Sequence, residues 1–232
     1  MPPKTVNKKS KNFNKKVQNV VRRMAETKVV DYSVSEVKIK SNEDSPYVQD
    51  MTTVSRGTHA TERNGNEILL SGVKWRILLH NRNNEDTEVS TIRSMWVRIA
   101  LIEQKNTNDT AMYEDFFRKG SNSYDFDAVT QQEKFYLPID TTNRKTLYQT
   151  TLKLGMSNSA HTNNYVSNKI LKKYRKINKH INFEESNVSN SASTKIYFVM
   201  WAGNNNLDAT TDETSRGMME FSGLLSTYFK DF

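Results

Sequence analysis

From Val29 onward the chain is a succession of short runs rich in Val, Ile, Leu, Thr, Tyr, Phe and Trp, parted by clusters of Asn, Asp, Ser, Thr and Gly. Such runs read as strands bounded by turns, and many of them without intervening crossover helices point to a double-sheet or closed antiparallel architecture. Val29 to Lys40 alternates as Tyr32, Val34, Glu36 against Ser33, Ser35, Val37 and predicts a first long strand. Glu67 to His80 and Thr91 to Glu103 are dense in Ile, Leu, Val and Trp and read as central strands, with the polar Asn81 to Ser90 segment of hairpin length between them. Met112, Tyr113, Phe116 and Phe117 fall at i, i+4 spacing before Gly120 and predict one short helix over Ala111 to Lys119. Further strands are expected at Glu133 to Pro138, Arg144 to Leu154, near Ile177 to Glu184, at Thr194 to Ala202 and at Met219 to Phe229. The basic stretch Asn168 to His180 also fits a helical turn, and a strand is favoured there from about Arg175. The total of eight or nine strands around one core predicts an all-β fold: a single eight-stranded antiparallel jelly-roll sandwich spanning 29 to 232, preceded by a basic, partly helical N-terminal arm over 1 to 28.

The charge of the chain is segregated. Of its 34 basic and 26 acidic residues, nine and one respectively lie between Met1 and Lys28, which leaves 25 of each in the remainder. The arm therefore carries the entire net charge of +8, and the domain that follows is formally neutral. A block of like charge usually serves as a polyelectrolyte tail whose commonest partners are nucleic acid, an anionic membrane surface or an import receptor, and nucleic acid is favoured here. Residues 1 to 14 have only Val6 and Phe13 to bury, too little to offset ordering entropy, so disorder is expected there. In Lys15 to Lys28 the residues Val17, Val20, Val21 and Met24 form one helical stripe flanked by Lys15, Lys16, Arg22 and Arg23. An isolated helix so short is marginal, and it would form mainly against phosphate or another subunit. The predicted nucleic-acid contacts are Lys4, Lys8, Lys9, Lys11, Lys15, Lys16, Arg22 and Arg23, all to phosphate and without base readout.

The remaining sequence offers no constellation for catalysis. His59, His80, His161 and His180 have no metal-ligand spacing, cysteine is absent, and no Walker loop, dinucleotide fingerprint or nucleophile elbow occurs. Glu114 with Asp115, and Glu184 with Glu185, are adjacent in sequence and tend to diverge, unlike an acid/base pair facing across a substrate. The expectation is no enzyme, no cofactor and no metal, with the Asn204 to Asp212 cluster read as a polar loop. No apolar run is long enough to span a bilayer, and the lysine-rich start lacks the apolar segment of a signal peptide, so no membrane partner is expected. Trp75, Trp96, Phe135, Tyr148, Tyr197, Phe198, Trp201 and Phe229 are expected to fill the core. Only the neighbourhood of Tyr174, Arg175, Lys176 and Lys179 interleaves an aromatic with basic residues as a base-stacking surface does, and Arg175, Lys176 and Lys179 join the predicted nucleic-acid contacts. The glycosylation-like triplets Asn108-Asp109-Thr110 and Asn187-Val188-Ser189 are discounted for want of a signal peptide. Lys8-Lys9-Ser10-Lys11 fits a short nuclear import signal, which makes an import receptor a second candidate partner.

Four stretches in order carry a family resemblance: the arm ending Val20-Val21-Arg22-Arg23-Met24; Arg56-Gly57 followed by Glu62-Arg63-Asn64-Gly65-Asn66-Glu67-Ile68; the strand containing Trp96; and Tyr228-Phe229-Lys230-Asp231. Together they resemble the capsid proteins of small circular single-stranded DNA viruses, circovirus-like, and also the coat proteins of satellite RNA viruses. The resemblance implies an eight-stranded jelly roll that self-assembles into a small icosahedral shell, typically of about sixty copies, with basic arms pointing inward onto a single-stranded genome, DNA more than RNA. It implies a virion protein, and the import-signal pattern at Lys8-Lys9-Ser10-Lys11 adds the host nucleus as a candidate location during assembly. The arm departs from many DNA-virus relatives in being short and lysine-rich, without long arginine runs. The competing expectation is a non-structural movement or shuttle protein using the same arm. A lectin or enzymatic jelly roll would instead require clustered His, carboxylates or exposed aromatics converging in a pocket.

Overall fold

A computed structural model of the chain describes residues 26–41, 43–82, 94–104, 112–155, 168–184, 192–204 and 218–231, together with Val17 and Val20. Ten strands and one helical turn occur among them: β1 (Thr27–Lys40), β2 (Tyr47–Asp50), β3 (Glu67–Arg82), β4 (Met95–Gln104), β5 (Phe117–Lys119), β6 (Asn122–Tyr124), α1 (Glu133–Tyr136), β7 (Arg144–Leu154), β8 (Asn168–Asn182), β9 (Lys195–Asn204) and β10 (Met218–Asp231). Eight of the strands form two four-stranded sheets in the orders β1-β10-β3-β8 and β2-β9-β4-β7, and β5 and β6 make a separate ribbon. Leaving that ribbon aside, first pairs with last, second with second-last, and so inward to β4 with β7, every pair antiparallel. Four nested pairs rolled into two facing sheets are the jelly-roll topology. The fold is all-β as expected; ten strands replace the expected eight because the connection between β4 and β7 carries the extra ribbon.

The two sheets bury their facing surfaces against each other. β3 contributes Ile68, Leu70, Val73, Trp75, Ile77 and Leu79, opposed by Val97, Ile99, Leu101, Phe198 and Met200 from the second sheet. The Trp75 ring sits 5.2 Å from Tyr148 and 5.8 Å from Phe198, so one large side chain bridges the layers. The change from even to odd core positions along β3 occurs at Ser71-Gly72, where pairing with both neighbours slips by one residue. In β1 the same device explains why its alternation breaks: Glu36 adopts φ +52°, donates its N–H to Ser222 Oγ at 2.9 Å, and restores Val37 and Ile39 to the core side.

The single core expected from sequence is two. A second cluster lies on the outer surface of β4 and β9, where Ala100, Ile102, Val199 and Trp201 are covered by Met112, Phe116, Phe117, Phe126, Leu137 and Ile139 from the β4–β7 connection. β4 is consequently buried on both faces, which is why its sequence is a nearly continuous apolar run. Two buried arginines pin this cover. Arg98 donates to the carbonyls of Lys134 and Leu137, both at 2.9 Å, and to Gln149 Oε1 at 3.0 Å, and burial pushes its pKa down to about 10. Arg144 donates to the carbonyls of Glu114 at 2.6 Å, Asp115 at 2.7 Å and Met112 at 3.3 Å.

Several expectations are corrected. β3 and β4 do not form a hairpin but lie in different sheets. The helix expected up to Lys119 is a turn over Met112–Asp115 followed by β5, whose aromatic spacing reflects packing into the second core; Gly120, at φ +65°, opens the tight β5–β6 turn. The strand expected over Glu133 to Pro138 is α1. Its cause is a capping box: Thr130 Oγ1 accepts the Glu133 N–H at 3.3 Å, and Glu133 Oε2 accepts the Thr130 N–H at 3.0 Å. The ambiguous basic stretch is strand throughout, from Asn168, and β1 begins at Thr27, so the helical stripe of the arm does not reach Lys28. Lys28 belongs to the folded domain: its ammonium meets Asp231 Oδ2 at 2.8 Å and the Glu62 carbonyl at 2.7 Å. Val17 and Val20 have helical backbone and are exposed.

Candidate nucleic-acid interface

β8 closes one end of its sheet, with β3 on one side and no strand on the other among the described residues. Over Asn168–Asn182 it carries Lys169, Lys172, Lys173, Arg175, Lys176 and Lys179, and no acidic residue. Only Ile181 is buried; Leu171 and Ile177 pack partly onto the core, whereas Ile170 and Tyr174 are 65% and 48% exposed. Lysine along an edge strand is also the ordinary defence against edge-to-edge aggregation, so composition alone does not make this a binding surface.

Geometry adds to composition where β8 faces β7, the terminal strand of the other sheet. A cleft of about 400 Å³ opens between these two edges, lined by Glu103, Lys145, Thr146, Leu147, Arg175, Lys176, Ile177, Asn178 and Lys179. Both walls are bulged at this level. Pairing of β7 with β4 slips at Leu147, and pairing of β8 with β3 slips at Ile177 and Asn178, the latter at φ +55°. Bulges re-aim side chains and interrupt edge pairing, and here they set cationic side chains around a gap between the sheets. Glu103, mostly buried at the floor, accepts from Lys179 Nζ at 2.5 Å. Lys145, Arg175 and Lys176 have no acidic partner among the described residues, and within that set three positive charges around the cleft are without a counter-charge. Lys173 lies over the Tyr148 ring at 5.4 Å, and Tyr174 crosses above Gly72 to meet Tyr228 edge-on at 5.8 Å.

The structure thus brings the sequence-predicted Arg175, Lys176 and Lys179 to one cleft, with Lys179 already engaged by Glu103. Lys4, Lys8, Lys9, Lys11, Lys15, Lys16, Arg22 and Arg23 lie outside the described residues, as do His161, both glycosylation-like triplets and most of the Asn204 to Asp212 cluster. Sequence reading missed Lys145, which is far from β8 along the chain and joins it only because the roll sets the two sheet edges opposite each other. Of the aromatics expected in the core, Trp75, Phe198, Trp201 and Phe229 are buried, and Trp96, Phe135, Tyr148 and Tyr197 are half-buried. The motif carrying the family resemblance has a structural explanation: Arg63 is buried, donates to the carbonyls of Val54 and Gly65, and covers the Phe183 ring at 4.1 Å, while Gly57 leaves room for the Glu62 carboxylate. Among the described residues no group of three or more His, Asp or Glu converges as a metal site requires, and no helix is long and apolar enough to cross a membrane.

No protein-family model matches the chain, and no curated protein does. Among solved structures, a CocE/NonD family hydrolase from Staphylococcus aureus is matched with a TM-score of 0.18 and 7% identity, over 88% of this chain and 33% of that one. The chain spans about a third of that structure's length. A likeness of this size carries no argument.

Proposed function

We propose that this chain is the coat protein of a small non-enveloped virus, which self-assembles into an icosahedral shell and packages a single-stranded genome through its N-terminal arm. The observation that carries the reading is the junction of two things: an eight-stranded jelly roll of nested antiparallel pairs, and a charge of +8 confined to the segment that precedes it. Double-sheet jelly rolls build viral shells, lectins and cupins. A neutral wall with a separate polycationic arm suits the first of these, since the wall must pack against copies of itself while the arm neutralises phosphate. Binding through Lys4, Lys8, Lys9, Lys11, Lys15, Lys16, Arg22 and Arg23 is sequence-tolerant, because these contacts go to phosphates and not base edges. DNA is the favoured genome, on the family resemblance, and Lys8-Lys9-Ser10-Lys11 serves import into the host nucleus.

Nuclease resistance tests the reading. Single-stranded DNA mixed with the full chain becomes resistant to digestion in one discrete size class, because a closed shell excludes nuclease. DNA that stays bound yet is fully digested contradicts a shell and favours a shuttle or movement protein.

A further inference from the structure

We infer that the cleft between β7 and β8 is a second nucleic-acid site, a phosphate clamp for one single strand, in which Lys145, Arg175 and Lys176 bind the sugar–phosphate backbone. The inference rests on the nucleic-acid half of the coat-protein reading and not on assembly.

Three observations converge on it. The first is electrostatic: three cations without acidic partners among the described residues, from two different strands, surround a space of about 400 Å³, and the one carboxylate there is neutralised by Lys179. Without an anion these charges repel one another across the gap. The second is shape. Edge defence requires lysine and bulges on exposed strands, but it does not require that the bulges of two strands in different sheets face each other across a cavity. The cleft, at about 400 Å³, has room for the backbone of a single strand and is far too small for a duplex. The third is position relative to the arm. Thr27, where the arm ends, pairs with Lys230, which pairs with Leu69, which pairs with His180 on β8. The root of the arm and the cleft therefore lie at the same end of one sheet, three strand spacings or roughly 14 Å apart. A strand held by the arm reaches the cleft across Tyr228 and Tyr174, and the exposed Tyr174 ring, next to Arg175 along β8, offers a stacking face on the way. The site thereby adds a fixed point of attachment on the folded wall to those of the arm.

The test is lysine acetylation footprinting on the full, unassembled chain, alone and with a thymidine oligonucleotide, a duplex of equal length, inorganic phosphate or a heparin fragment. The clamp requires that the oligonucleotide slow acetylation of Lys145 and Lys176 at least about tenfold while Lys153 and Lys195 are unaffected, and that the duplex protect neither pair. Alongside, K145A/R175A/K176A lowers the magnitude of the log–log salt slope for oligonucleotide binding by about 2, or roughly 0.7 for each phosphate that the variant no longer neutralises. Unchanged acetylation with an unchanged slope overturns the proposal. Protection by heparin and not by oligonucleotide also overturns it, in favour of a sulfated glycan, and protection by phosphate alone reduces the site to an adventitious ion only. In K8A/K9A/K11A the arm is weakened and the cleft is intact, so failure of the arm and failure of the clamp give different patterns.

Discussion

Lys134 is a cation that the fold holds at 3% exposure, its ammonium 4.3 Å from the centre of the Phe126 ring and donating to the Glu43 carbonyl at 3.0 Å. Burial pushes its pKa down to about 8, against the opposing pull of Asp44 and Asp127. Below that pH the group is charged in both folded and unfolded chains, and the cost of burying the charge is fully present. Between pH 8 and 10.5 the folded protein releases the proton while the unfolded chain keeps it, so stability rises with pH over this window, by up to about 3 kcal/mol. Urea unfolding of wild type and K134M at pH 7.5 and 10 isolates the effect: the wild type gains relative to the variant, and a difference independent of pH contradicts the account. Thr130 is the second test at this scale. Its reciprocal bonds with Glu133 start α1, so T130A lowers stability by about 1 kcal/mol with an unchanged denaturant slope. The Thr-Gln-Gln-Glu signature of that capping box stands openly in the sequence at 130–133, but the β-like Phe135-Tyr136-Leu137 run after it conceals the helix.

At the scale of elements, β7 matches its expected range, Arg144 to Leu154, and β1, β3, β4, β9 and β10 fall within a few residues of theirs, because strands covered on one or both faces leave strong apolar patterns. β2, β5 and β6 were not legible: three or four residues are too few to show a period. β8 was half legible for another reason. As an exposed edge it buries little, so its polar sequence resembles a solvated helix turn as much as a strand. β8 is held by its ladder with β3, which includes a close approach at Gly72, where an added Cβ would stand 2.5 Å from the Tyr174 hydroxyl and 2.6 Å from the Arg175 carbonyl oxygen. The second of these is backbone and cannot rotate away. G72A therefore destabilises the protein by about 1 to 3 kcal/mol and loosens β8 first. Amide hydrogen exchange checks this: β8 amides accelerate more than those of the β1–β10 pair, and uniform protection across the sheet contradicts the proposed contact.

For the whole molecule, sequence alone separated a neutral β domain from a polycationic arm, because charge counts need no coordinates. It did not separate the two cores or find the cleft, since both depend on which strands share a sheet and on the cover inserted between β4 and β7. Three of the four cations of the candidate interface, Arg175, Lys176 and Lys179, were visible as a basic run; Lys145 became visible only with the roll. Division of labour between arm and wall has a measurable form. Removing residues 1–25 takes away eight cations and leaves Lys28 on Asp231, so the salt slope for single-strand binding falls in magnitude by up to about 5.6 while the domain stays folded. A slope unaffected by the truncation contradicts binding through the arm.

The central claim is that the chain builds a closed shell around nucleic acid. Sedimentation with negative-stain electron microscopy tests it most directly, on the full chain and on the chain lacking residues 1–25, each with and without single-stranded DNA. The account predicts uniform closed particles that contain DNA only when the arm is present. Monomers under every condition, still binding DNA through the arm, contradict it.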